Sequence, residues 1–192
     1  MSSNQSHSDV GRDQAGRDIT YNQQTTNYNQ YTNTSPSQVQ RLLKKLSAQV
    51  HASATSSAFI EDLQFYINAQ DGEGTVGLED KLKMAGRENE LNDAKRMKEL
   101  FSKLLTKLEN FTSAQELFAY FLAHIHDVFR HKIIPCCGTM SYKEIEATVD
   151  LLIIDKIMTE IGDGCDLFTI NRSHIRGMIY WLADKCYVRW HE

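Results

Sequence analysis

Proline is scarce. Pro36 and Pro135 alone interrupt 192 residues, and proline is the residue that most strongly breaks a helix interior. Long helices are therefore free to form over most of the chain. Long apolar runs are missing too: no stretch of about 20 apolar residues, the length a helix needs to span a bilayer, occurs. Nor is there an excess of basic charge. A net charge of -4 lacks the clustered lysine and arginine that neutralise nucleic-acid phosphates. The opening Met1-Ser2-Ser3-Asn4-Gln5 has no charged segment followed by an apolar one, so it does not read as an export signal. The expected compartment is the cytoplasm, where Cys136, Cys137, Cys165 and Cys186 stay reduced.

Aliphatic residues are almost absent from one tract, 10–34. It opens with two copies of a five-residue unit, Val10-Gly11-Arg12-Asp13-Gln14 and Ala15-Gly16-Arg17-Asp18-Ile19. Thr, Tyr, Asn and Gln fill the rest, with Tyr-Asn-Gln recurring at Tyr21 and Tyr28. Such a tract cannot bury a core of its own. Two readings stay open. Polar, Asn/Gln-rich termini are commonly disordered. Yet Thr and Tyr favour extended chain, and Asn and Gln form ladders when like strands stack. The repeat would let strands from several copies of the chain pair in register. Arg beside a neighbour's Asp would favour one register, because like charges placed opposite each other are penalised. The assembly candidates are Gly11, Arg12, Asp13, Gly16, Arg17, Asp18, Ile19, Tyr21 and Tyr28.

Beyond the tract the pattern turns helical. Ser35 and Pro36 suit the cap and first position of a helix, whose stripe is Val39, Leu42, Leu43, Leu46 and Val50. A small polar linker, 51–57, follows. A second helix is expected over about 58–69, with Phe59, Ile60, Leu63, Tyr66 and Ile67 on one side. A short helix starts at Gly77 and closes near Gly86. The longest charged helix, about 88–110, carries Leu91, Ala94, Met97, Leu100, Phe101, Leu104, Leu105 and Leu108. Ser113-Ala114-Gln115-Glu116 and Ser141-Tyr142-Lys143-Glu144 both fit the capping box that opens a helix. The first leads into a strong apolar face that ends before Pro135. The second leads into Ile145, Val149, Leu152, Ile153, Ile157 and Ile161, broken at Gly162. Asn171 or Ser173 caps a last helix with Ile175, Met178, Ile179 and Leu182. The expected fold is all-α, a multi-helix domain preceded by a polar, β-prone tract that can pair between copies. Its parts are 1–34, 35–57 and 58–192.

Chemistry-bearing residues are present without a decisive pattern. His124, His126, His131, Cys136 and Cys137 cluster in sequence, but zinc needs about four ligands in tetrahedral array. His124 and His126 point apart on a helix, and no C-x-x-C pair supports them. Cys137 with His131 or His174 would make a thiol nucleophile only with a base in reach. Gly72-Glu73-Gly74 and Gly162-Asp163-Gly164 lack the lysine and hydroxyl of a phosphate loop. Asp163 and Asp166 lack the glutamate that completes a calcium loop. Lys95, Arg96, Lys98, Lys103 and Lys107 are interleaved with Glu88, Glu90, Glu99 and Glu109, which reads as a solvated helix face. No catalytic residue, metal or cofactor is expected. Trp181, Tyr187, Arg189 and Trp190 are the candidates for a partner interface, with the tryptophans also tying down the chain end.

Residues 58–192 also carry a resemblance. Asp71-Gly72-Glu73-Gly74, Gly77-Leu78-Glu79-Asp80-Lys81-Leu82 and Gly86-Arg87 form its first part. Gly177-Met178-Ile179-Tyr180-Trp181-Leu182 and Val188-Arg189-Trp190 form its second. Together they resemble the C-terminal helical domains of the bacterial ABC-three-component conflict systems, and the Gly-Arg-Asp leader is similar to tracts placed ahead of such modules. The resemblance implies a domain that couples an effector to an ATPase and a middle component during anti-phage defence. No nuclease or protease pattern precedes the domain here; the repeat tract takes that place. The expected function is a non-enzymatic, oligomerising adaptor or scaffold that binds protein partners and forms homo-oligomers, with no direct contact to nucleic acid or membrane. The alternatives are a cysteine/histidine or zinc-dependent enzyme, and a structural protein of a phage or mobile element.

Overall fold

Helix α1 (Gln38–His51) begins just after Ser37. The Ser37 hydroxyl accepts the Gln40 N–H at 3.1 Å, and the Gln40 side chain accepts the Ser37 N–H at 3.2 Å. This reciprocal cap satisfies donors that the first turn would leave unpaired, and it moves the start two residues beyond the expected Ser35 cap. The computed structural model describes residues 37–56, 58–68 and 77–191, all within the unit Thr34–Glu192. The assembly candidates between Gly11 and Tyr28 lie outside the described residues, as does Asp71-Gly72-Glu73-Gly74.

Val39, Leu42, Leu43 and Leu46 of α1 are buried, packed toward α5 (Thr112–Val128) and α7 (Asp155–Ile161). A narrow leucine stripe is covered in this way by two helices of the same core. The linker that follows is held to the body where the Ser56 N–H donates to the Asn110 carbonyl at 2.7 Å. Helix α2 (Glu61–Ile67) starts three residues later than its pattern suggests. The reason is a side chain: Gln115 of α5 accepts the Ile60 N–H at 2.8 Å, holding that residue extended. Phe59 is thereby left before the helix and exposed.

Helix α3 (Leu78–Met84) stops at Gly86, whose φ of +67° is the left-handed geometry that glycine accepts without strain. A 3-10 turn, Glu88–Glu90, leads into α4 (Leu91–Leu108). The expected stripe of α4 faces inward except for Leu100, which is exposed. Helix α5 then opens without the expected box at Ser113–Glu116. Its N-cap is Phe111, and Ser113 lies inside the first turn with its side chain buried. The Ser113 N–H is satisfied from outside the helix, by the Gln49 side chain of α1 at 3.1 Å.

Past Val128 the helix widens into a π-turn, Phe129–Ile133, and then tightens into a 3-10 turn, Ile134–Cys136, that accommodates Pro135 near its start. The Ser141–Glu144 box does form and opens α6 (Tyr142–Val149). A second π-turn, Asp150–Ile154, separates α6 from α7. Its extra residue shifts the register. Leu152, expected inside, faces outward with Leu151, and Ile154 takes a core position. Helix α8 (Arg172–Asp184) is capped by Asn171.

Helices α4 and α8 cross at the centre of the core. A Cβ at Gly177 would lie 2.2 Å from the Met97 carbonyl oxygen, so only glycine permits this crossing. Next to it, Phe101 meets Phe118 and Trp181 edge to face, each pair with ring centres 5.7 Å apart. Among the described residues the fold is all-helical, with one isolated β-bridge between Cys165 and Phe168.

Candidate functional site

The structure sends the chemistry-bearing residues to separate partners. His124 meets the Leu152 carbonyl, within the second π-turn, at 2.8 Å. His126 lies 3.5 Å from the Tyr66 hydroxyl. His131 pairs with Asp127 at 3.0 Å. The Cys137 thiol donates to the Ile133 carbonyl at 3.3 Å, and the ring of His174 takes part in the cap at Asn171. Among the described residues no three His, Cys, Asp or Glu side chains gather in a metal-binding group.

The four candidates near the chain end divide. Trp181, Tyr187 and Trp190 are buried, whereas Arg189 is exposed. The Tyr187 hydroxyl donates toward the carbonyls of Phe65 and of Asn68, the latter at 2.9 Å, tying the chain end to α2. Trp190 packs edge to face on Phe129 at 5.7 Å. Tyr180 lies 5.8 Å from the Trp190 ring, and a buried cation covers that ring as well. The Arg87 guanidinium lies 4.8 Å from the centre of the Trp190 ring and 5.1 Å from that of Tyr142. It donates to both carboxylate oxygens of Glu90, at 3.0 and 2.7 Å, and to Glu146 at 2.7 Å. Burial disfavours its charge, but Glu90 and Glu146 more than offset that and hold its pKa above the ordinary value. Glu146 also receives Arg176 at 2.8 Å, and Asp150 receives Arg176 and Arg172 at 2.8 and 3.0 Å. This network is filled and self-satisfied. It locks α6, α8 and the chain end together.

An open site lies elsewhere. Between α2 and α5 runs a groove of about 430 Å³, within the roughly 300–1,000 Å³ of ligand pockets. Phe65 and Tyr66 line it from α2; Glu116, Ala119, Tyr120 and Ala123 line it from α5. Their spacings of three and four put those α5 residues on one helix face. Ile60, Asp62 and, at the start of α1, Gln38 complete the lining. Phe65 is 51 % exposed although its neighbours are aromatic. The Tyr120 hydroxyl donates to Glu160 at 3.3 Å. Sequence reasoning missed this groove, because its walls come from positions up to 85 residues apart, Gln38 to Ala123. A second hollow, along Glu99, Ser102, Lys103, Thr106 and Lys107, is bounded by α4 alone.

Residues 77–190 match the model of a family described as C-terminal domain 9 of the ABC-three component systems. The chain belongs to this family. ABC-three component systems are conflict or defence systems. No curated protein and no solved structure matches the chain. The family stretch contains α3 to α8 and the whole Arg87 network, ending on Trp190, the ring against which Arg87 stacks. One wall of the groove, α5, lies inside that stretch, while α1 and α2 lie before it. No helix among the described residues is long and apolar enough to cross a membrane.

Proposed function

We propose that the chain is a non-enzymatic, oligomerising adaptor of an ABC-three-component system. In this reading the helical domain binds a protein partner, an ATPase or middle component of the same system. The tract 10–34, with its duplicated Gly-Arg-Asp unit, gathers copies of the chain. The family match over residues 77–190 carries the reading, because it places the domain in a system of several protein components. The α2–α5 groove supports it as an exposed surface with aromatic walls, the kind of feature that anchors a partner. The Arg87 network suits a rigid platform, since each charged group in it already has partners.

Co-expression with the other components of its own system, followed by gel filtration, tests the reading. The adaptor is expected to elute with one of them as a complex. Separate elution of every component, with all of them folded, would contradict it.

A further inference from the structure

The chemistry of the groove narrows what it can hold. Its lining contains two carboxylates, Asp62 and Glu116, and no basic side chain. A carboxylate nearby is already matched, Glu160 by Lys156 at 3.0 Å. Asp62 and Glu116 have no cation within ion-pair distance among the described residues. The same lining holds the rings of Phe65, Tyr66 and Tyr120 and the small side chains of Ala119 and Ala123. Acidic groups beside exposed aromatic faces attract a cation that can stack as well as pair.

We propose that this groove binds an arginine-bearing segment of a protein partner, with the guanidinium between Asp62 and Glu116 and against the Phe65 and Tyr120 rings. The proposal rests on the adaptor reading and names the chemistry of its partner. Arginine fits better than lysine. Its planar fork meets carboxylates two bonds at a time and stacks on aromatic faces, whereas an ammonium is compact and strongly hydrated. A peptide fits better than a free small cation, because Ile60 and Ala123 supply apolar surface for the flanking side chains. A nucleic acid would bring phosphates to two unmatched carboxylates and be repelled.

The full chain is titrated into a fluorescent peptide alternating arginine and leucine, read by anisotropy, beside the same peptide with lysine in place of arginine. Binding is expected for the arginine peptide, weaker binding for the lysine peptide, and a loss of about tenfold or more in the Asp62→Asn, Glu116→Gln double variant. A second variant, Ala123→Trp, fills the exposed mouth of the groove without touching the core and should also abolish binding. No binding to the native chain would overturn the proposal. So would equal affinity for the lysine peptide, or affinity unchanged in both variants. Circular dichroism confirms that each variant is folded. A chain that forms its complex with a system component, yet ignores the peptide and tolerates both variants, would sink this proposal and leave the adaptor reading standing. A chain that binds the peptide but joins no component would do the reverse.

Discussion

Gly177 sets how closely α4 and α8 approach, since any side chain there would press into the Met97 carbonyl. Gly177→Ala must push two main chains apart, and overpacking of that kind costs about 1–3 kcal/mol; urea unfolding would measure it. Arg87 makes a different case. It is buried at 4 % exposure with two partly buried carboxylates as partners, and removing one member of such a group strands the others. Arg87→Met should cost about 3 kcal/mol or more, and Arg87→Lys should not rescue it, because the fork and the stacking are lost. Lys103→Ala, which breaks an exposed pair with Glu99, should leave the unfolding midpoint unchanged within error. Titration adds a pH signature. Burial, reinforced by Arg130, holds the His126 imidazole below its ordinary value of 6.5, and burial lowers His174 and His191 as well. Below that value the unfolded chain binds protons that the folded one does not. Stability from these groups is therefore complete above a pH of about 6.5 and is lost as pH falls. The urea midpoint should decline from about pH 7 to about pH 5, and less steeply in a His126→Gln variant.

At the scale of elements, capping separates two serines that look alike in sequence. Ser141 forms its box with Glu144, the Ser141 N–H donating at 2.7 Å, so Ser141→Ala should cost about 1 kcal/mol of stability. Ser113 makes no such cap, and the job of organising that junction falls to Gln115. Gln115 is 1 % exposed, accepts the Ile60 N–H and donates to the Ala58 and Glu109 carbonyls. Gln115→Leu would leave those groups unpaired beside the core, a loss of about 2 kcal/mol or more. The contrast shows what was legible. The stripes of α1, α4, α5 and α8 follow a 3.6-residue period, so their buried residues can be read from spacing. A π-turn adds one residue without a proline or glycine to announce it, so the exchange of Leu152 for Ile154 cannot be read that way. Ser113 matched a four-residue pattern, but its N–H goes to the Gln49 side chain, 64 residues away in sequence and supplied by another helix. Arg87 and Trp190 stand in the two motifs that carried the family resemblance, and their stacking appears only once the chain end folds back on α8.

For the whole molecule, the described residues build one core from α1 to the chain end. An open groove faces outward on that domain, and the repeat tract precedes it in sequence. Function in this account is divided between them, with partner binding on the helical domain and assembly on the tract. Truncation should therefore remove one property and spare the other. A chain starting at Ser35 keeps the entire described core and should retain the helical signal and the groove. Light scattering on the full-length chain and on the chain starting at Ser35 decides the matter most directly. The account predicts a defined multiple of 22.0 kDa for the full chain and a collapse to a smaller species without the tract. The same number of subunits in both would contradict it.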